Sequence, residues 1–334
     1  MPVRHSWGVQ AGRIGITLGD PSGIGPEIVA ATLAAAPAAW RARLVVFGDR
    51  EPLVRGAEAM RVALPPGLEI RGDGAGARAV PGAPDDASGA AQVGYLEAAV
   101  AAAKAGELAA IATAPISKTW ARRAGFAFPG HTELLAARLG APDVVMAFYG
   151  PKLRIALATV HVPLAEVPRV LTTARIRRVI ELVAASLSAD LGFAAPRIGV
   201  VGLNPHAGEG GMLGPEDDAV IAPALRAPLP PATLHGPLIP DAAFRDHAEG
   251  RYDALVAMYH DQGLIPVKLL DFDDSVNVTL GLPIVRTSPD HGTAYDIAGR
   301  GVARATSMQR ALALAVDMLE RRIEPPGRLD ARES

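Results

Sequence analysis

Short apolar runs alternate along the chain with stretches whose apolar residues recur every three to four positions. Six runs are continuous rather than alternating: 13–17 (RIGIT), 43–48 (RLVVFG), 108–114 (LAAIATA), 154–160 (RIALATV), 197–203 (RIGVVGL) and 252–259 (YDALVAMY). This pattern predicts strands buried on both faces. The clearest helical stretch runs from Ala174 to Asp190, where Ile176, Val179, Ile180, Val183 and Leu187 share one face. Thr173 stands as its expected N-cap and Gly192 lies near its end. A second helix is predicted around 306–322. Strands separated by helices imply α/β architecture with largely parallel strands. Gly/Ala/Pro-rich residues 71–91 read as a surface loop and Pro-rich residues 226–241 as a connector. No internal repeat interrupts the pattern.

Length sharpens this picture: 334 residues suit two domains, or one large α/β unit with an insertion. Aromatics make up only 4%, so the core must rest on Ala, Val, Leu and Ile. A net charge of −2 without a basic stripe excludes an electrostatic footprint for nucleic acid or an anionic membrane. The absence of cysteine excludes disulfides, thiolate metal sites and a catalytic thiol, and fits a reducing cytoplasm. Residues 1–12 lack the apolar core of a signal peptide. The alanine-rich run at 97–116 is broken by Lys104 and Glu107 and is too polar to span a membrane. The expectation is a soluble cytoplasmic protein.

Candidate chemistry follows the predicted strands. RIGITL leads into GDPSGIGPE, LAAIATA into PISK, RIALATV into HVP, RIGVVGL into NPHAGEGG, and YDALVAMY into HDQG. In an open α/β sheet, ligands bind beyond the carboxyl ends of the strands, so parallel strands would bring these tails to one edge. Of eight histidines, His161, His206 and His260 sit one to three residues past a strand end. Three neutral imidazoles with an open position can hold a divalent Lewis acid, although a loop histidine is more often an isolated polar residue. The turn GDPSGIGPE (19–27) offers either a structural bend or free helix-start amides for an anion. In GHTELLA (130–136), His131 and Thr132 stand at an expected helix start, with Thr132 able to cap or to donate to a ligand. Arg286 falls in a Gly/Pro-punctuated turn region, 279–299, where it could pair with phosphate, carboxylate or an ordinary surface acid.

Lysine is rare: Lys104, Lys118, Lys152 and Lys268 are four of 33 basic residues. Lysines kept where arginine otherwise serves point to places needing a compact or titratable ammonium. Lys118 and Lys268 follow strand-end motifs, whereas Lys104 and Lys152 read as surface positions.

Taken together, ITLGDPSGIGPEI, GHTELLA, GLNPHAGEGG, AMYHDQGLIPVK, VNVTLGLP and RTSPDHGTA resemble the 4-hydroxythreonine-4-phosphate dehydrogenase family of vitamin B6 biosynthesis, over about residues 13–320. The resemblance implies a two-domain α/β fold like that of isopropylmalate dehydrogenase, with a cleft between the domains. The first domain would comprise 1–128 plus 286–334 and the second 129–285, in a homodimer with active sites at the subunit interface. It implies that His161, His206 and His260 bind one divalent metal ion (Zn, Mg, Co or Mn), and that His131, Thr132, Lys268, Asn277 and Arg286 contact the phosphorylated hydroxy-amino-acid substrate. His260 and Lys268 would be catalytic, with Lys268 either taking a proton or holding anionic groups. The implied reaction is NAD-dependent oxidation of 4-phosphooxy-L-threonine at its 3-hydroxyl, followed by decarboxylation to 3-amino-2-oxopropyl phosphate. A paralogue acting on 4-phospho-D-threonate or 4-phospho-D-erythronate is the competing expectation. HGTAYDIAG (291–299) is similar to the HGSAPDIAG loop of the isopropylmalate dehydrogenases, with Tyr295 in place of proline. That likeness implies cofactor contacts at Gly292 and Asp296, with Asp296 favouring NAD over NADP. Asp261 has no implied contact and is a candidate to orient a neighbouring histidine.

Overall fold

The computed structural model describes residues 12–323; the leader reading at 1–12 therefore lies almost entirely outside the described residues. The chain divides into two compact units: Met1–Pro142 with Leu282–Leu319, and Asp143–Gly281 with Glu320–Ser334. These boundaries differ from the expected 128 and 286, and His131 and Thr132 consequently stand in the first unit. The physical reason is local. The helix that begins at His131 packs on a long helix of the first unit, with Arg138 paired to Glu97 at 2.8 Å.

The first unit builds β1 (Ile14–Thr17), α1 (Gly25–Ala35), the short α2 (Ala38–Arg41), β2 (Leu44–Phe47), α3 (Arg50–Met60), β3 (Glu69–Arg71), α4 (Asp86–Lys104), β4 (Ala110–Thr113), α5 (Lys118–Arg123) and α6 (His131–Leu139). Its strand order is β3-β2-β1-β4, with β11 (Val285–Pro289) beyond β4, and every pairing is parallel. β1, β2 and β4 are buried at every position, as their uninterrupted apolar runs require. Small residues let the covering helices approach closely. A Cβ on Gly56 of α3 would stand 2.5 Å from the Pro26 backbone of α1, so glycine sets that contact. The loop expected at 71–91 ends earlier, because Asp85 accepts from Ser88 N (2.7 Å) in a capping box that starts α4.

The second unit contains β5 (Val145–Tyr149), β6 (Arg154–Leu157), α7 (Val167–Val170), α8 (Thr173–Ala189), β7 (Arg197–Val201), α9 (Ala222–Leu225), β8 (Thr233–Leu238), α10 (Pro240–Ala248), β9 (Ala254–Ala257), α11 (His260–Leu270) and β10 (Val276–Leu280). Its strand order is β10-β5-β6-β9-β7-β8. The β10–β5 and β5–β6 pairs are antiparallel, and the rest are parallel. Phe148, Ile155, Leu157, Val201, Leu255 and Val267 centre its core. The amphipathic stripe predicted at 174–190 forms α8, capped by Thr172 rather than Thr173: its hydroxyl accepts from Arg175 N at 3.1 Å. The connector at 226–241 contains β8, an edge strand whose exposed residues left no apolar run to read. The closing helix, α12, spans Thr306–Ile323. Among the described residues, no helix is long and apolar enough to cross a membrane.

Candidate active site

In the first unit, Arg286 lies within β11 rather than in a turn, opposite Ile111 of β4, and is only 3% exposed. The strand assignment follows from parallel pairing, which overrides the Gly/Pro punctuation flanking it. The guanidinium donates to Thr113 Oγ1 at 2.8 Å. Burial pushes its pKa down to about 10, against the opposing influence of Glu133, so it stays charged at neutral pH. His131 is the first residue of α6, with Gly130 at the cap position, so Thr132 is not the cap. His131 as a whole is half-buried, but its Nε2 is buried and has no hydrogen-bond partner. Desolvation, reinforced by the charges of Arg286 and Lys118, holds the imidazole well below the usual histidine range. Two cations and an unspent imidazole nitrogen therefore act on one locus, with Glu133 as the neighbouring acid. An arriving anion would find charge and a donor already in place. Lys118, singled out by its rarity, thus bears on His131.

The turn GDPSGIGPE behaves differently from the anion cradle it resembled. Ile24 N donates to Thr293 O at 2.9 Å, so the start of α1 is occupied by a carbonyl of the 291–299 loop. A Cβ on Gly23 would meet Thr293 O at 2.8 Å, which explains that glycine. Glu27 accepts from Gly299 N (3.0 Å) and Gly301 N (2.7 Å). The loop expected to border the cofactor is therefore tied to this turn, with Gly292 and Asp296 exposed on it. No sequence pattern could announce a partnership spanning some 270 positions.

In the second unit, side chains tie the ends of three parallel strands together. Thr159 Oγ1 donates to Met258 O (2.8 Å), Met258 N donates to Gln262 Oε1 (2.7 Å), and Gln262 Nε2 donates to Gly202 O (2.7 Å). Just beyond these ties, the His161 and His260 rings stand 5.7 Å apart. Asp261 Oδ1 lies 2.7 Å from His260 Nδ1. A carboxylate there fixes the proton on Nδ1 and leaves Nε2 as a lone-pair donor, the arrangement of a metal-binding histidine. His161 (φ 50°) and His206 (φ 53°) both adopt left-handed backbone, which is uncommon outside glycine and clusters at functional sites. The His206 loop is held by Asp217, which accepts from Leu203 N (2.8 Å), Asn204 N (3.1 Å) and Asn204 Nδ2 (3.0 Å).

The donor chemistry fits a divalent ion at two imidazoles. His206 does not complete a cluster with them, because no group of three His, Cys, Asp or Glu side chains among the described residues could hold a metal. Lys268 lies in the last turn of α11, its Nζ 5.1 Å from the Phe272 ring centroid. Asn277 sits on β10 opposite Phe148.

With these arrangements in view, the comparisons with known proteins are informative. The sequence matches the model of the family described as pyridoxal phosphate biosynthetic protein PdxA over residues 41–315. The chain belongs to the PdxA family. A PdxA relative from Geobacter metallireducens, named 4-hydroxythreonine-4-phosphate dehydrogenase, is 46% identical over 323 residues, covering 92% of this chain and 95% of its own. A relative of the same name from Synechococcus sp. is 44% identical, covering 92% and 94%. The crystal structure of 4-hydroxythreonine-4-phosphate dehydrogenase from Klebsiella pneumoniae superposes with a TM-score of 0.82 at 39% identity, covering 93% and 99%. The PdxA relationship makes this chain a dehydrogenase of mixed α/β architecture.

Proposed function

We propose that this PdxA chain oxidises the 3-hydroxyl of 4-phosphooxy-L-threonine with NAD, in the cytoplasm, and that the resulting β-keto acid loses CO2 to give 3-amino-2-oxopropyl phosphate for pyridoxal 5′-phosphate biosynthesis. The observation that carries this reading is the buried Arg286 beside the unspent Nε2 of His131, with Lys118 adding charge. Arg286 binds and orients a substrate oxyanion, His131 donates from a neutral ring, and Thr132 adds its hydroxyl. Lys268 and Asn277 belong to the same substrate set; Lys268 holds anionic groups or accepts the hydroxyl proton.

His161 and His260 would hold the divalent metal, with Asp261 fixing the His260 tautomer. His206 belongs to the same donor set, and its completion falls to substrate or to a second copy of the chain. Bound there, the metal would supply Lewis-acid polarisation of the substrate hydroxyl, while NAD would supply the hydride acceptor. Gly292 and Asp296 would border that cofactor. A homodimer is supported by Ile265, Leu269 and Phe272, exposed apolar residues on and just after α11.

The test is NADH production with 4-phosphooxy-L-threonine and with 4-phospho-D-threonate, each with and without chelator. Turnover of the first that chelator abolishes and added metal restores is the expected result. Full activity in the metal-free enzyme, or turnover of the second substrate alone, would overturn it.

A further inference from the structure

The 291–299 loop departs from its isopropylmalate-dehydrogenase counterpart at two places, Thr293 for serine and Tyr295 for proline, and the structure gives the tyrosine a partner. Its phenol donates to Asp20 Oδ2 at 2.6 Å. Asp20 is fully buried at the end of β1, and its other oxygen accepts from Ser22 N at 2.8 Å. That hydrogen bond joins two segments of the first unit, the turn after β1 and the 291–299 loop. Proline has no hydroxyl and cannot make this junction.

We propose that Tyr295 is a positioning residue for the nicotinamide cofactor, pinning the 291–299 loop to Asp20 so that its cofactor-facing residues are already in place before the dinucleotide arrives. The proposal rests on the reading of this loop as the cofactor border. Two features favour a purpose beyond folding. The loop is already tied to the same turn through Ile24 N–Thr293 O and the two amides on Glu27, so it does not need Tyr295 merely to stay attached. The pin also retains a buried carboxylate whose pKa is raised by desolvation, a cost that a purely structural turn could avoid with asparagine. Ordering a loop beforehand removes that ordering cost from binding, so the effect belongs to cofactor affinity rather than to the chemical step.

Tyr295→Phe keeps the ring and removes the junction. The expected result is a roughly 5- to 20-fold rise in the NADH dissociation constant and in KM for NAD, a part of what one hydrogen bond to a charged group is worth. The kcat and the KM for the phosphorylated substrate should be unchanged, with a modest fall in melting temperature from the buried Asp20 oxygen left without its donor. Asp20→Ala should give the same cofactor effect, and the double variant should be no worse than either single one. Unchanged NADH affinity in Tyr295→Phe, or equal losses in both KM values and melting temperature, would overturn the positioning role. Asp296→Ala tests the underlying reading separately: it should weaken NAD and relax discrimination against NADP. If Asp296→Ala and Tyr295→Phe both leave NADH binding unchanged, the loop is not the cofactor border; if only Tyr295→Phe does, the pin alone fails.

Discussion

His131 in the first unit and His247 in the second are both held on the neutral side by desolvation, yet their nitrogens meet opposite fates. His247 uses both: Nε2 accepts from Arg154 N at 2.8 Å, which leaves Nδ1 to donate to Tyr252 O at 2.9 Å. The ring joins α10 to the start of β6 with no valence left over. His131 keeps a buried Nε2 unspent beside Arg286 and Lys118. Burial and a lowered pKa are common to both, so neither property marks function. What separates them is the partnerless Nε2 of His131 standing with the partnerless Nε of the buried Arg286, two unspent nitrogens at one place in a fold that normally satisfies such atoms.

The most forceful way to break the contrast is to remove charge on the His131 side. Arg286→Met should lower kcat/KM for the phosphorylated substrate roughly 1,000-fold, about 4 kcal/mol, in line with the loss of a buried charged pair. Its melting temperature should hold or rise, since an apolar side chain avoids the cost of burying a guanidinium. Unfolding together with retained specific activity would place Arg286 with the structural residues. The next largest effect lies on the other side. His247→Phe should cost about 2–3 kcal/mol in urea denaturation by stranding the Arg154 amide and the Tyr252 carbonyl, with both KM values unchanged. His131→Gln should do the reverse, raising substrate KM about 10-fold with stability nearly constant. A stability loss matching that of His247→Phe would erase the distinction.

The smallest effect is the response to pH. Each folded-state pKa lies below the unfolded value near 6.5, so the unfolded chain binds more protons in acid. The stability each histidine contributes is complete above about pH 6.5 and is lost as pH falls below it, by up to about 1.4 kcal/mol per pH unit. Urea midpoints between pH 7 and 5 should fall, and His247→Phe and His131→Gln should each remove part of that slope. A slope unchanged in both variants would show that other groups govern it.

Much of this was visible in the order of residues, and the exceptions share a cause. The six continuous apolar runs became β1, β2, β4, β6, β7 and β9 because strands buried on both faces write themselves that way. β11 carries an arginine and a proline, and β8 a Gly-Pro pair; both acquire strand character from neighbours distant in sequence. α11 hid behind Gly263 and Pro266 in HDQGLIPVKLL. At the site, the strand-end rule led to His161 and His260 and to the carboxylate beside them. The left-handed backbone at His161 and His206 could not be foreseen, since neither is the glycine that usually announces it. The Asp20–Tyr295 bond and the burial of Arg286 likewise depend on partners that only the fold brings near.

The ties among Thr159, Met258, Gln262 and Gly202 have a consequence for how this protein can diversify. They fix the distance between strand ends through side chains that belong to the scaffold, not through the loops that follow. The loop beyond His206 can therefore change while His161 and His260 keep their spacing. The spacing of His161 and His260 is thus set by the frame rather than by the loop that carries His206.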